Sequence, residues 1–495
     1  MRGICPKLLG ILIAAALALP TAAAQEKVRL SAADVERLAL EQSYGVKQVW
    51  LASDAVQQNI MQSKGIFDTN LGADVSYQLD DSAKASRIMG GRIDTLIGGV
   101  SATKKLPSGT EVGIGLAQER VKYHDTLTIN GNPVFPPNAL YEPIISFSLS
   151  QPVMKNIGGY QDRRAVKSAE LGALAAELTA QRQVETLVYG ALSDYWNLVI
   201  VRRLITARVK SVQFARQFLA TTEEEFKLGT AEETDVLAAR ANILVRDDDL
   251  RGLKEVERSW EESLRTNLAM GPDVYIENVE KEPPLVTLGG SIGERIAGAL
   301  ETRRDYQASK RELELRDVEL AVAKNERWPS MDLYSTLQLN EIRGGISGAW
   351  SSANNPNWTV GMQFKMPLEN RVARSGKNRA DIQKAAAIVA LKDLENRIAN
   401  SVSRHAKEVD SRKKIISQSG RAMDLQREKL RQENEKYGMG RSTSDLIVRY
   451  QDDVVAAEQG HAEAWLAYKE AALNLVLAEG KLVDFDKMEE QEVSE

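Results

Sequence analysis

The sequence predicts a mainly α-helical protein that also carries strands of a transmembrane β-barrel, with strand pairs and a long helix repeated in two halves. Two runs of 66 and 67 residues contain no proline and keep their apolar residues at helical spacing. Segments at equivalent points of both halves alternate apolar and polar residues, as the strands of a barrel with a wet lumen do. The same turn motif follows each long run, which indicates an internal duplication.

Composition excludes two classes of protein. Apolar residues make up 43% of the 495 residues and charged residues 27%, and the mean hydropathy is -0.32. These averages are typical of a large soluble protein and not of a bundle of membrane-spanning helices. The formal net charge is -5, from 64 basic and 69 acidic residues, so there is no basic excess to bind a polynucleotide. We expect no nucleic-acid partner.

Residues 1–24 have the pattern of a secretory signal peptide. Arg2 and Lys7 precede an apolar run over 8–19, and three alanines at 22–24 provide the small residues that a signal peptidase requires. The run is too short for a spanning helix, which needs about 20 residues. Cleavage before Gln25 would remove Cys5, the only cysteine of the chain, so we expect no disulfide in the mature protein.

The duplication is defined by matching turn motifs. The glycines of the two motifs lie 211 residues apart and the aspartates that follow them lie 210 apart, and residues 39–41 match 299–301 at an offset of 260. We therefore expect a first structural repeat over 25–270 and a second over 291–483. The matched motif residues are Phe226, Leu228, Gly229, Thr234 and Asp235 in the first repeat, and Tyr437, Met439, Gly440, Ser444 and Asp445 in the second.

The first repeat begins with a predicted helix over 31–64. Strands and an extra hairpin are predicted over 66–152, because Leu71, Val75 and Tyr77 alternate with Asp74 and Ser76, and the same alternation returns at 145–150. A long helix is predicted over 163–228, and at a rise of 1.5 Å per residue it would extend for about 100 Å. A returning helix is predicted over 232–270, after a glycine turn.

The extra hairpin lies over 92–122. Two alternating segments, 94–104 and 110–120, flank the turn residues Pro107, Ser108 and Gly109. The hairpin accounts for most of the additional length of the first half. The sequence leaves open whether it joins the barrel or forms an external loop.

The second repeat follows the same order. Helical spacing predicts a helix over 291–327, and period-two alternation predicts strands over 329–367, with Leu333 and Leu337 on one side and Asp332 and Thr336 on the other. A long helix is predicted over 371–437 and a returning helix over 442–483. Gly271-Pro272 and Pro283-Pro284 mark a linker or equatorial segment over 271–290, and an acidic tail is predicted over 484–495.

These features together resemble the TolC-like outer-membrane efflux factors, over essentially the whole mature chain. The resemblance implies a homotrimer in which each protomer contributes four strands to a single 12-stranded outer-membrane barrel, continued into a trimeric α-barrel that extends into the periplasm. Its strands would contact outer-membrane lipid. It also implies an export duct that is not an enzyme and needs no cofactor or metal.

The resemblance implies protein partners as well. Ducts of this type receive cargo from a periplasmic adaptor, also called a membrane fusion protein, and an inner-membrane pump of RND, MFS or ABC type, in tripartite efflux or type I secretion. The cargo stays open, since drugs, metal ions, polysaccharide and polypeptide all use such ducts.

The resemblance places functional residues at the two helical turns. The implied adaptor-docking tips are Phe226, Leu228, Gly229, Tyr437, Met439 and Gly440. The implied periplasmic gate and selectivity residues are Thr234, Asp235, Tyr437, Arg441, Ser442 and Asp445. Gly440 to Asp445 is one residue shorter than the family spacing, so either Arg441 or Ser442 takes the place of the gate arginine.

Simpler roles compete at these positions. The glycines would be needed as helix caps in any case, and Asp445 lies in a first helical turn, where a carboxylate stabilises the helix. At the level of the whole protein, an enzyme is disfavoured because His124, His405 and His461 stand far apart and no nucleotide or nucleophile motif is present. A soluble periplasmic coiled-coil scaffold or adaptor is the remaining alternative, and it leaves the duplicated alternating segments unexplained.

Overall fold

The computed structural model describes residues 27–83, 88, 91–134, 136–280, 282, 285 and 289–485. The predicted signal peptide, Pro283-Pro284 of the predicted linker and residues 486–495 of the predicted tail lie outside these ranges. The chain divides into two compact units: Met1–Val49, Gln183–Thr302 and Ile398–Glu495 form the first, and Trp50–Arg182 and Arg303–Arg397 form the second.

The described residues are mostly helical. The helices, numbered in chain order, are α1 Ala32–Gln42, α2 Tyr44–Lys64, α3 Tyr160–Lys227, α4 Glu233–Asn267, α5 Ile292–Thr302, α6 Arg304–Asn325, α7 Ile346–Ser351, α8 Arg371–Gly438 and α9 Ser444–Glu479. The long helices α3 and α8 have 68 residues each, where the sequence indicated 163–228 and 371–437. Within the described part of the chain, no helix combines the length and the apolar character needed to cross a membrane.

The strands within the described ranges form three sheets. They are β1 Lys27–Leu30, β2 Thr69–Asp80, β3 Arg92–Lys105, β4 Glu111–His124, β5 Thr128–Ile129, β6 Asn132–Pro133, β7 Leu140–Pro152, β8 Tyr275–Asn278, β9 Ser330–Asn340 and β10 Asn355–Lys365. Strands β1 and β8 form a parallel pair, β5 and β6 form a short antiparallel pair, and the other six form one antiparallel sheet in the order β10-β9-β7-β4-β3-β2.

The segments at 31–64 and 291–327 each contain two helices, where the sequence indicated one. Ser43 ends α1 with φ -53° and ψ 125°, and Arg303 precedes α6 with φ -63° and ψ 119°. Both residues are extended, so the hydrogen-bond ladder of the helix is interrupted there. The interruptions lie 260 residues apart, which is the offset of the matched residues 39–41 and 299–301. The break is therefore a duplicated feature, and no proline marks it in either repeat.

The core of the first unit is supplied mainly by the middle of α3 and the second half of α9. Tyr195, Trp196 and Leu198 on α3 and Tyr468 on α9 are buried almost completely. Burial of each such side chain contributes about 1.5 to 3 kcal/mol. Phe485, which the sequence placed in the acidic tail, is also buried, so the predicted tail begins too early.

The predicted linker over 271–290 is partly a strand, and this is a correction. Strand β8 pairs in parallel with β1, from Lys27 opposite Tyr275 to Leu30 opposite Asn278. The guanidinium of Arg202 on α3 donates to the backbone oxygen of Ile276 and binds Glu257 at 2.7 Å. Four-residue strands carry too little periodicity to be recognised, so sequence patterning could not predict this sheet.

The six-stranded sheet belongs to the second unit and contains the extra hairpin. Strand β3 pairs with β2 along its whole length, and β4 pairs with β7 from Glu111 opposite Ser150 to Val121 opposite Leu140. The hairpin thus lies between β2 and β7, inside the sheet. The described residues of one chain therefore form a sheet of six neighbouring strands, where the resemblance implies four strands per protomer.

The two faces of this sheet differ sharply in polarity. One row of paired residues crosses all six strands as Leu71, Ala102, Ile114, Phe147, Leu337 and Trp358. The neighbouring row, on the opposite face, reads Asn70, Thr103, Gly113, Ser148, Thr336 and Thr359. Because side chains alternate between the faces of a strand, the alternation predicted from the sequence extends across the whole sheet.

The turn of the hairpin is fixed to the start of α3. Lys105 at the end of β3 forms an ion pair with the buried Asp162 at 2.9 Å. The Cα of Gly159 lies close to the turn, and a Cβ on Gly159 would overlap the carbonyl oxygen of Pro107 and lie 2.9 Å from the nitrogen of Gly109. Gly159 also has φ +69°, which favours glycine. The hairpin is therefore packed against the helical part of its own unit.

Substitution of Gly159 by Ala tests this packing. We expect Gly159→Ala to lower the free energy of unfolding by at least about 2 kcal/mol, because the new methyl group meets backbone atoms and the φ angle is positive. The measurement is urea or thermal unfolding of the purified protein.

Gly131→Ala is the matched control for that experiment. Gly131 has φ +79° and nothing lies within 4 Å of a Cβ built on it, so its substitution introduces backbone strain without a steric overlap. Equal losses of stability in Gly159→Ala and Gly131→Ala would contradict the proposed contact between the hairpin turn and α3.

Candidate functional site at the helical tips

The first helical tip is the turn between α3 and α4. Gly229 has φ +75°. The N–H of Thr230 donates to the carbonyl of Glu225 at 2.9 Å, and the N–H of Gly229 donates to the carbonyl of Phe226 at 3.0 Å. These two bonds form a Schellman motif, which ends a helix on a left-handed residue. Glycine is required here for conformational reasons alone.

The second tip, between α8 and α9, repeats this geometry. Gly440 has φ +70°, the N–H of Arg441 donates to the carbonyl of Lys436 at 2.9 Å, and the N–H of Gly440 donates to the carbonyl of Tyr437 at 2.8 Å. The matched glycine motifs of the sequence therefore fold into matched helix caps. The capping role predicted for Gly229 and Gly440 is confirmed.

A hydrogen bond joins the two tips within one chain. The Ser444 hydroxyl, at the start of α9, donates to the Asp235 carboxylate at 2.6 Å. The other Asp235 oxygen accepts from the backbone N–H of Glu232 at 3.0 Å, in a capping box at the start of α4. Asp235 thus stabilises its own helix and holds the neighbouring helix at the same time.

A second bond joins the ends of the long helices. The Tyr437 hydroxyl on α8 donates to the Glu225 carboxylate on α3 at 2.6 Å. Beneath it, the Tyr437 ring lies 5.7 Å from the ring of Phe218, and both pack on a small apolar cluster that includes Ile447. Val448 packs against the same cluster.

The other predicted gate residues have different surroundings. The Ser442 hydroxyl donates to Glu433 of its own repeat at 2.7 Å, and Thr234 donates to the adjacent Glu232 at 3.3 Å. The Arg441 and Asp445 side chains are exposed. The structure therefore brings Asp235 and Tyr437 into bonds between repeats, and leaves Thr234, Arg441 and Asp445 accessible at the surface of one chain.

Both tips present apolar side chains to the surface. Leu228 is 79% exposed and Met439, its counterpart in the second repeat, is 68% exposed; Phe226 is also exposed. The turns at Gly229 and Gly440, whose φ angles are positive, place these side chains beyond the ends of the long helices.

Three residues of the site were not identified as site residues by sequence analysis. Glu225 and Ser444 supply the partners of Tyr437 and Asp235, and Glu433 binds both Ser442 and, at 3.1 Å, Lys436. Ser444 could have been found, because it stands opposite Thr234 at the same 210-residue offset that relates the two aspartates. Glu225 and Glu433 are acidic residues among many on the helix surfaces and carry no such signal.

The two links between the tips respond to pH in opposite directions. The Ser444 hydroxyl, followed by the Glu232 N–H, holds the pKa of Asp235 below its ordinary value of 3.8, so this link is fully present above that value and is lost as pH falls through the lowered pKa. Burial, followed by the Glu225 carboxylate, raises the pKa of Tyr437 from 10.0 to about 12. That link is fully present below 10.0 and is lost as pH rises through about 12.

A pH titration follows as a prediction. Both links persist between about pH 5 and pH 9, so we expect the unfolding temperature to change little over that range through these two groups. A marked change in the unfolding temperature between about pH 5 and pH 9 that the Asp235→Asn and Tyr437→Phe variants abolish would contradict this prediction.

No metal-binding cluster of histidine, cysteine, aspartate or glutamate exists among the described residues. The histidines have separate local partners: His124 contacts Asp94 at 2.9 Å, His461 contacts Ser419 at 2.9 Å, and His405 lies 3.4 Å from Glu408. The tips are therefore best interpreted as a set of inter-helix contacts around two capped turns.

The fold and the tips together define a class of protein: two repeats of strands and very long helices, with a sheet that is apolar on one face. Solved outer-membrane channels have this fold. The chain is similar to the CmeC channel of Campylobacter jejuni, with 14% identity, a TM-score of 0.68, and coverage of 93% of this chain and 89% of that one. Against the outer-membrane protein VceC of Vibrio cholerae the identity is 14%, the TM-score 0.68, and the coverage 91% and 96%.

The open state of the MtrE outer-membrane channel of Neisseria gonorrhoeae matches with 15% identity, a TM-score of 0.65, and coverage of 91% of this chain and 89% of that one. The TolC-like fold predicted from the sequence is thus confirmed by structural similarity. No protein-family model matches the chain, and no curated protein matches it by sequence.

Proposed function

We propose that three copies of this chain form an export duct in the outer membrane, which conducts cargo passively from a pump to the outside in tripartite efflux or type I secretion. The observation that carries the proposal is the exposed apolar face of the six-stranded sheet. Val75 on β2 is 80% exposed and Trp358 on β10 is 71% exposed, and both lie on that face. Exposure of so broad an apolar surface to water is unfavourable in a soluble protein, whereas membrane lipid would cover it.

The polar face of the same sheet supports a water-filled lumen. Serines and threonines supply most of its middle row, with a glycine at position 113 of β4. In lipid, the backbone groups of edge strands need partners, and closed barrels satisfy this need. A sheet of six strands is smaller than the smallest single-chain barrels, which have about eight, so a homo-oligomer is required. The homotrimer follows from the likeness to the TolC-like channels.

The helical tips are the proposed periplasmic end of the duct. Leu228 and Met439 would dock a periplasmic adaptor protein through their exposed apolar side chains, with Phe226 and Tyr437 beside the glycine turns. An inner-membrane pump of RND, MFS or ABC type would supply the energy. The proposed duct is not an enzyme and uses no cofactor.

The links at the tips form the proposed gate. The Asp235–Ser444 and Tyr437–Glu225 bonds hold α4 against α9 and α3 against α8, so the tips stay together while both bonds are intact. Asp445 is exposed one residue beyond Ser444, and three copies around an axis would place a ring of negative charge at the entrance. Such a ring favours cations. Arg441 and Ser442 complete the proposed gate from the second repeat.

Fractionation and electrophysiology test the proposal together. We expect the mature protein in the outer-membrane fraction, extractable only with detergent, as a trimer that forms discrete channels in planar bilayers. A soluble periplasmic monomer or dimer without channel activity would contradict the proposal and support the scaffold alternative.

A further inference from the structure

We infer that this protein forms an 18-stranded barrel, to which each of three subunits contributes six neighbouring strands. The inference rests on the proposed trimeric duct and goes beyond it, because it concerns the size and wall of the pore. The observation behind it is the position of β3 and β4, which are paired into the sheet between β2 and β7 and are not appended to its outer end.

Strands β3 and β4 have the length and the alternation of residues expected of strands in the wall of a barrel. Strands β3 and β4 have 14 residues each, at least as long as the 12 of β2 and the 11 of β9 and β10. A tilted strand needs about 9 to 11 residues to span the membrane. Val100 and Ile114 are exposed on the apolar face, in line with their paired neighbours on β2 and β7. In an external loop both faces of the hairpin would contact water, so alternation of apolar and polar residues would not be expected there.

The base of the hairpin is also fixed as a wall element requires. The Lys105–Asp162 ion pair and the close approach of Gly109 to Gly159 anchor the turn between β3 and β4 at the start of α3. The turn lies at the same end of the sheet as the last residues of β7, because Glu111 pairs with Ser150. The hairpin therefore shares the barrel-to-helix junction with the strands around it.

The direction of the strands permits closure. Every neighbouring pair in the sheet is antiparallel, and six is an even number, so the edge strands β2 and β10 run in opposite directions. Strand β2 of one subunit can then pair in an antiparallel manner with β10 of the next, and three subunits give 18 strands with no free edge. If neighbouring strands are about 4.8 Å apart and tilted by about 40°, the backbone diameter of the 18-stranded barrel is about 36 Å. This is roughly 1.5 times the diameter of a 12-stranded barrel.

Disulfide cross-linking of the mature trimer in outer membranes tests the strand order. The expected mature chain has no cysteine, so any disulfide that forms must join the introduced cysteines. The pairs Leu71→Cys with Ala102→Cys, and Ile114→Cys with Phe147→Cys, join residues that are directly opposite on β2 and β3 and on β4 and β7. We expect both to oxidise within a subunit, because opposite residues have Cα atoms about 5 Å apart.

A third set of pairs tests the four-stranded alternative. If the hairpin lay outside the wall, β2 would pair directly with β7, and Leu71→Cys would oxidise with a cysteine at Ile145, Phe147 or Leu149. In the six-stranded order β2 and β7 are three strand spacings apart, about 14 Å, which exceeds disulfide reach. Cross-linking in any of these three pairs, detected by mass spectrometry of digests, would overturn the inference while leaving the duct proposal intact.

Edge pairs test the oligomer separately. Leu71→Cys combined in turn with a cysteine at Trp358, Val360, Met362 or Phe364, the positions of β10 on the same face, should link subunits into covalent trimers through at least one pair, whichever strand count is correct. Absence of subunit linking by all four edge pairs would contradict the duct proposal itself, and covalent rings of two subunits would contradict the 18-stranded count. A direct count of strands by cryo-electron microscopy of the wild-type protein is the second measurement, with 18 expected and 12 contradicting the inference.

Discussion

The double variant Asp235→Ala/Tyr437→Phe is expected to raise the open fraction of the purified duct by at least about tenfold, measured as single-channel current in planar bilayers. Each substitution removes one bond that joins the two repeats at the tips, Asp235 with Ser444 and Tyr437 with Glu225. A hydrogen bond to a charged group contributes about 1.5 to 3 kcal/mol, less when partly exposed, and about 1.4 kcal/mol changes an equilibrium tenfold. In the proposed trimer, all three subunits lose both bonds at once.

The single variants and a control separate this effect from general damage to the helices. Tyr437→Phe keeps the ring that packs against Phe218, so it removes the hydroxyl alone. Thr221→Ala is the matched control, because the exposed Thr221 hydroxyl donates to the Gln217 carbonyl of its own helix at 3.2 Å. Current equal to that of the wild type in the double variant, with the trimer intact, would show that these bonds do not hold the entrance closed.

The second large effect is expected at Asp445. Asp445→Asn should lower the preference of the channel for cations over anions by about threefold or more at low salt, since a ring of carboxylates at a constriction concentrates cations. The effect should shrink at 1 M salt, where charges are screened beyond about 3 Å. The measurement is the reversal potential of the open channel under a salt gradient.

A structural role for Asp445 gives a different result. If the carboxylate only stabilises the first turn of α9, Asp445→Asn should lower the free energy of unfolding by a few tenths to about 1 kcal/mol and leave selectivity unchanged. Glu233→Gln is the matched control, because it removes an exposed acidic group from the first turn of α4 in the other repeat. An equal change of selectivity in Glu233→Gln would argue against a ring formed specifically by Asp445.

Much of the fold could be predicted from the sequence because its elements are long and regular. Helices α3 and α8 and the alternating strands exceed the length at which periodicity becomes unambiguous. The small β1–β8 sheet and the breaks at Ser43 and Arg303 could not be predicted, since each depends on a few residues whose conformation is decided by tertiary contacts. The place of the hairpin depended on strand pairing over a distance along the chain, which alternation alone does not specify.

Prediction of the site was limited because its residue types are common on helix surfaces. The duplicated glycine turns located both tips, and Asp235 and Tyr437 form bonds between repeats there. Ser444 is marked in the sequence by its 210-residue offset from Thr234, whereas its partner role is not, and Glu225 could not be chosen by residue type because acidic side chains are frequent along the helices. Only the helix packing identifies Glu225.

The duplication of the tips is imperfect, and the difference has a consequence for symmetry. Position 226 in the first repeat is Phe, where the second repeat has Tyr437, and position 436 is Lys, where the first repeat has Glu225. In the proposed ring of three chains there are six contacts between repeats, alternately within and between chains, and only those within a chain can form the tyrosine–glutamate bond. The two tips of a chain should consequently move as one body, so that the aperture widens along three seams with threefold symmetry and does not expand evenly as a sixfold ring.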